Sequence, residues 1–247
     1  MGKTAFAMSI AEFIALRRNR YVFVCSMEMP KKSLYVRMLS SLAEVDSQVI
    51  RSARYSAEDY EAIKDAKRIL DSDYMHICDQ PAMKPSQIMT EIRKVQRKGE
   101  ISLIVIDYLG LADPERETNN RTQDVTALIK AFKNIARKVK VPTIVLSQLN
   151  RRVEGRENKR PMLSDLNESG GVEAEADIVV GLYRESYYKR MAMAENERPV
   201  APTEDETEVL LLKHRNGEAD MFKVGFVPRF TKFTTWDAAD SRGSTGY

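Results

Sequence analysis

Ser102-Leu103-Ile104-Val105-Ile106-Asp107 is the most apolar of several short apolar runs in the chain, and it ends in a carboxylate. Its apolar residues are continuous, without alternation. That suits a strand covered on both faces, as in a parallel sheet. Upstream, Pro85 is placed to open a helix whose Ile88, Ile92 and Val95 share one face, with Gly99 as its stop. Downstream, residues 114–120 form a polar loop, Arg121–Val139 a long amphipathic helix, and residues 142–147 a strand with Pro142 at its mouth. Tyr21–Ser26 and residues 74–78 are further β-prone runs. Helical patterns cover residues 31–45 and 56–70, the second opened by the capping-box pair Ser56 and Asp59. This βαβα order predicts an α/β fold, a doubly wound, mainly parallel sheet with helices on both faces. Its ligand is expected beyond the carboxyl ends of the strands.

The chemistry-bearing residues gather at that rim. Gly2-Lys3-Thr4 is the last part of a phosphate-binding loop, in which backbone N–H groups and the lysine hold phosphates and the hydroxyl ligates Mg²⁺. Phe6, Ala7, Ile10, Phe13 and Ile14 follow at helical spacing, and a helix N-terminus directs partial positive charge toward an anion. Asp107 suits the second carboxylate that holds Mg²⁺ in an ATPase of this type, ahead of a strand-end cap or turn residue. Glu28, just past the Tyr21–Ser26 strand, is placed to polarise a water, and also suits a plain surface carboxylate. Gln148 ends the 142–147 strand where an amide reaches a γ-phosphate; Ser147, Gln148 and Asn150 also fit an ordinary turn.

Residues 148–171 read as a long loop with one helical turn, and long loops commonly carry function. Within it, Arg151, Arg152, Arg156, Lys159 and Arg160 stand against Glu154 and Glu157. The run suits either a solvated loop or a surface that contacts nucleic-acid phosphates. Ser169-Gly170-Gly171 allows close approach of backbone to phosphate. A strand is expected over residues 177–183 and a poorly ordered acidic loop over 193–206. Residues 209–213 and 221–226 predict a hairpin around a tight Asn216-Gly217 turn, with a further strand over 230–236 and a frayed tail over 238–247. Lys213 and Arg215, two apart, are expected to project together from the hairpin tip. There they form either an exposed basic turn or an arginine finger that reaches a neighbouring subunit's nucleotide.

Composition fits one domain of 247 residues, with 43% hydrophobic content and a net charge of +3. Cys25 and Cys78 lack paired spacing and read as core residues of a reducing compartment. His76 and His214 are too far apart to suggest a metal pair. No apolar run is long enough for a membrane span and no leader is visible, which predicts a cytoplasmic protein.

Taken together, Met1-Gly2-Lys3-Thr4, Ser26-Met27-Glu28-Met29-Pro30, residues 103–109, Ser147-Gln148-Leu149-Asn150-Arg151, Lys159-Arg160-Pro161, Ser164-Asp165-Leu166, Glu168-Ser169-Gly170 and Lys213-His214-Arg215-Asn216-Gly217 resemble the C-terminal motor domain of DnaB-type replicative DNA helicases. The resemblance covers nearly the whole chain in order. It implies a RecA-like fold over residues 1–237 and a homo-hexameric ring around single-stranded DNA, driven by ATP with Mg²⁺ at subunit interfaces. It also implies roles. Gly2, Lys3 and Thr4 bind phosphate, with Thr4 and Asp107 on Mg²⁺; Asp107 is the Walker B residue and Glu28 the catalytic carboxylate. Gln148 couples nucleotide to DNA, and Lys213 and Arg215 complete the neighbour's site. The loop around Asn167, Glu168, Ser169 and Gly170 corresponds to the one that grips the DNA backbone, and Arg151 and Arg152 of the basic run are further candidate DNA contacts.

Asn167 stands where the family commonly has arginine, which removes one charge-assisted phosphate contact. By the resemblance, a strand and the first half of the phosphate loop precede Met1, and before them a helical domain that binds primase and, with it, helicase loaders. Two other functions share many of these features: a different RecA-like ATPase, such as a recombinase or its regulator, and an impaired fragment that binds single-stranded DNA or an intact helicase.

Overall fold

The computed structural model describes residues 2–166, 169–193 and 204–236, without the side chains of Arg151 and Ser169. Asn167, Glu168, most of the expected acidic loop and the expected tail lie outside the described residues. Four parallel strands form the first sheet: β1 (Tyr21–Ser26), β2 (Met75–Cys78), β3 (Ile101–Asp107) and β4 (Thr143–Val145), in the order β2-β1-β3-β4. The non-alternating apolar runs are explained by the helices around it. Successive side chains point to opposite faces, and both faces are covered. Phe23, Cys25, Ile104 and Ile106 pack on α5 (Pro85–Gln96) and α6 (Arg121–Val139) through Ile88, Ile92, Leu128 and Phe132. Val22, Val24, Leu103 and Val105 face Ala7, Met8 and Ala11 of α1 (Lys3–Glu12), and Leu34 and Met38 of α2 (Lys31–Ala43).

Helix ends follow their local chemistry. The Asn120 side chain accepts from the amides of Thr122 and Gln123 at the start of α6. After α3 (Ser47–Ser52), the Ser56 and Asp59 box opens α4 (Ala57–Leu70) with reciprocal bonds of 3.1 and 3.0 Å. The first helix closes with a π turn over Phe13–Arg17. No helix among the described residues is long and apolar enough to cross a membrane.

The second sheet is antiparallel, in the order β5-β6-β7-β8: Ile178–Tyr183, Asp205–His214, Asp220–Val227 and Lys232–Thr235. The expected hairpin is its centre, with two corrections. First, β6 begins at Asp205 rather than at residue 209. Second, the β6–β7 link is not a tight two-residue turn but spans residues 215–219, with neither Asn216 nor Gly217 at positive φ. A tight Asn-Gly turn needs both in the left-handed region. Here the Arg215 amide donates instead to the Asp177 carbonyl, 2.8 Å away, which draws the chain off the ladder. The sheet docks on α1 through Phe233, which lies edge-on to Phe6 with ring centroids 5.2 Å apart.

The 148–171 segment is more structured than a loop with one turn. It contains 3₁₀ turns at Arg151–Gly155 and Leu163–Asp165, and Ser169-Gly170-Gly171 begins α7 (Ser169–Glu175). Gly171 is required there, because a Cβ would fall 2.6 Å from the Thr126 hydroxyl. A further helix, α8 (Glu185–Ala192), buries none of its residues and so left no apolar stripe in the sequence.

Candidate active site

The carboxyl ends of β1, β3 and β4 converge on the start of α1. Gly2 is the cap residue, at φ 100°, a left-handed conformation open to glycine at little cost. Lys3 and Thr4 follow as the first helical residues. The Thr4 hydroxyl donates to Asp107 Oδ2 at 2.8 Å across 103 residues of sequence. Lys3 Nζ donates to the Ser147 carbonyl at 2.8 Å and lies 5.8 Å from the Tyr108 ring centroid. Ser26 and Asp107 are register partners, and the Met27 amide bonds to the Asp107 carbonyl at 2.7 Å. That contact carries the chain directly to Glu28, whose side chain is exposed on the same rim. Gln148 is exposed just past β4. Of the expected rim residues, Lys3, Thr4, Glu28 and Asp107 are therefore together, and Gln148 follows Ser147, the partner of Lys3.

The electrostatics fit an anion beside a cation. Burial lowers the Lys3 pKa, partly offset by the charges of Asp107 and Glu28. Burial raises that of Asp107, only 2% exposed, with Glu28 adding to the rise and the Thr4 hydrogen bond, Lys3 and Arg37 opposing it. Arg37 was not anticipated. From α2 it adds a second partly enclosed cation facing Glu28 and Asp107. Its sequence signal is a lone arginine between Leu34 and Met38, which point into the core. Among the described residues no three His, Cys, Asp or Glu side chains gather as a metal-ligand group. Mg²⁺ needs none, since it is commonly held by one or two protein oxygens plus substrate phosphates, and the Thr4–Asp107 oxygen pair matches that donor set.

The DnaB-like helicase C-terminal domain model matches residues 1–235. The chain belongs to that family. It is 36% identical over 234 residues to the replicative DNA helicase DnaB of Geobacillus stearothermophilus, and equally to the replicative DNA helicase DnaC of Bacillus subtilis strain 168. Each match covers 94% of this chain, which spans about half the length (50%) of these curated relatives. Two solved structures superpose with TM-scores of 0.85 at 32% identity over 96% of the chain. One is a DnaB-like replicative helicase, described with its interactions with primase, of which 55% is covered. The other is an ATPase domain, of which 81% is covered.

In this DnaB-like domain the other expected residues fall elsewhere. Lys213 and Arg215 share one side of the hairpin, as expected, but they fold back instead of protruding. Lys213 Nζ donates to the carbonyls of Glu173 and, at 2.8 Å, Ala176. Arg215 donates to the Ala174 carbonyl and to Asp177 Oδ1, each at 3.0 Å. The basic stretch is also less free than its composition implied. Arg156 pairs with both oxygens of Asp165 at 3.0 and 2.7 Å, and Arg160 with both of Glu208 at 2.7 and 2.6 Å. Arg152 is exposed, and Lys159 lies 5.4 Å from the Tyr188 ring centroid. Gly170 is exposed, Ser169 is placed by its backbone only, the Arg151 side chain is not described, and Asn167 and Glu168 lie outside the described residues.

Proposed function

We propose that this chain is the ATP-hydrolysing motor of a replicative DNA helicase that works as a homo-hexamer on single-stranded DNA. The observation that carries the reading is the Thr4–Asp107 hydrogen bond of 2.8 Å, with Lys3 beside it and Glu28 on the same rim. A helix N-terminus, a lysine, a hydroxyl paired with a buried carboxylate and a second, exposed carboxylate are the parts of a phosphoryl-transfer site. The start of α1 and Lys3 bind the phosphates, while Thr4 and Asp107 hold Mg²⁺. When bound, Mg²⁺ supplies neutralisation of charge on the phosphate oxygens. Glu28 orients the attacking water and accepts its proton. Gln148 contacts the γ-phosphate and passes its presence to the segment beyond. Lys213 and Arg215 complete the site of an adjacent copy, where such a cation contributes about 10³–10⁵ in rate. Arg151, Arg152 and residues 167–170 contact the DNA backbone, with log affinity falling linearly in log salt. Primase and a loader are expected partners of the whole protein, in keeping with the relative solved with its interactions with primase.

The test is ATP hydrolysis by this chain with and without single-stranded DNA. Wild type should be stimulated by DNA and Lys3→Ala should be inactive; equal rates would overturn the reading.

A further inference from the structure

The two hairpin cations are held by one small structure. Asp177, in the link between α7 and β5, accepts Arg215 Nη1 on Oδ1 at 3.0 Å, and its backbone carbonyl accepts the Arg215 amide at 2.8 Å. Its other carboxylate oxygen takes the ammonium of Lys133 from α6. Arg215 Nη2 is bound to the carbonyl of Ala174, and Lys213 to those of Glu173 and Ala176, so the last turn of α7 and the residue after it receive both cations. Helix C-terminal carbonyls lack intrahelical partners and carry partial negative charge, which makes them natural seats for cations. The carboxylate is half exposed, at 56%, and so is Arg215, at 45%. The arrangement orients Arg215 without removing it from reach. The hydrogen bond from Lys133, with the charges of Lys133, Arg215 and Arg137, holds the Asp177 carboxyl below its usual pKa against the effect of burial.

We infer that Asp177 is a positioning residue for the reaction in trans: it aims Arg215 at the nucleotide of the adjacent copy and ties that aim to α7, whose first residues, Ser169 and Gly170, are among the proposed DNA contacts. The inference rests on the proposed motor function. Asp177 touches no reacting atom. It fixes one face of the guanidinium through Oδ1 and the backbone of the same residue through its carbonyl. Movement of α7 on DNA then moves the carbonyls and the carboxylate that seat Arg215. A DNA-dependent displacement becomes a change in the neighbour's active site without any contact between DNA and nucleotide.

The expected signature is complementation between subunits. Asp177→Ala alone should lower DNA-stimulated kcat about tenfold with little change in the KM for ATP, as expected when transition-state stabilisation is lost. Lys3→Ala alone should be inactive. Mixed in one oligomer, Lys3→Ala subunits present an intact Arg215 to the intact phosphate sites of Asp177→Ala subunits. The mixture should therefore exceed the weighted mean of the two separate rates. A folding defect confined to the Asp177→Ala subunit is not repaired by such a neighbour. Asp177→Ala should also add little to Arg215→Ala, because the two act as one unit. Asp177→Glu, which keeps the charge, should recover part of the rate. Hydrolysis by wild type with simple averaging in the mixture, or full additivity with Arg215→Ala, overturns the role of Asp177 alone. Absence of hydrolysis by the wild-type oligomer overturns the motor reading and this inference with it.

Discussion

The parallel and antiparallel layers are held together by different forces. In the first, β1 and β3 are buried almost throughout, and ion pairs such as Lys64–Glu61 and Lys94–Glu91 run along single helices at helical spacing. In the second, β5 alternates exposed and buried residues at its start, and Ile178, Val180 and Phe222 are 53, 45 and 53% exposed. That layer is stitched by charge: Arg184–Asp205 inside it, and Arg160–Glu208, Arg215–Asp177 and Lys223–Glu206 around it. Apolar packing is dense and has one solution, whereas charged ties are exchangeable. The contrast matches the proposed division of labour, a fixed wall for phosphate and a second wall that must meet another copy and part from it.

The comparison is broken most directly by removing one tie from each layer. Phe132→Ala in α6 empties a fully enclosed site against β3 and should cost about 3–5 kcal/mol of unfolding free energy. Asp205→Ala leaves the buried Arg184 guanidinium, stacked 4.2 Å from the Phe226 ring centroid, without its partner. It should cost about 3 kcal/mol. Both losses, read from urea unfolding, should change little with salt, because both groups are shielded from solvent. An Asp205→Ala loss near zero would mean that the antiparallel layer does not depend on its buried pair.

Much of this was legible in the sequence where the interaction is local or the pattern continuous. The limits of α6 were readable because a polar loop precedes it and its apolar residues recur along its whole length. The Thr4–Asp107 pair was readable because strand order alone brings both to one rim. The pairings that fix the basic segment were not. Glu208 lies 48 residues from Arg160, and nothing in the intervening sequence marks it as the partner. Composition counted five cations there as available, while tertiary structure neutralises Arg156 and Arg160. The start of α7 was hidden for another reason. Two adjacent glycines argue against a helix by propensity, and contact between Gly171 and Thr126 overrides that preference.

A smaller effect lies at the seam between the layers. Glu12, at the end of α1, faces the Ser41 hydroxyl at 3.5 Å and the charge of Lys232 from β8. Burial pushes its pKa up to about 8 from 4.5, with Ser41 and Lys232 pulling against the rise. An acid with a raised folded-state pKa is protonated in the folded chain where the unfolded chain is already ionised. Its contribution is therefore intact below pH 4.5 and lost progressively up to about pH 8. Glu12→Gln removes that loss. The variant should gain on wild type progressively as pH rises through this window, in urea unfolding followed against pH. Parallel stability curves for the two proteins would show that the seam admits the charge freely.

The smallest effect should come from Arg160, and it separates charge from packing within the antiparallel layer. The guanidinium makes two short bonds to Glu208 and lies 4.6 Å from the Tyr183 ring centroid, yet the side chain is 46% exposed while that of Glu208 is 11% exposed. A half-solvated pair of good geometry is worth about 1 kcal/mol, and Arg160→Ala should cost that much at low salt. Raising salt to about 1 M, where the screening length is near 3 Å, should shrink the gap between variant and wild type. Arg160→Lys should behave like alanine, because one ammonium cannot span both Glu208 oxygens. If the loss persists at high salt, the guanidinium acts mainly through its stacking on Tyr183. The antiparallel layer would then be held as the parallel one is, by contact area, with Glu208 serving only to orient the stack.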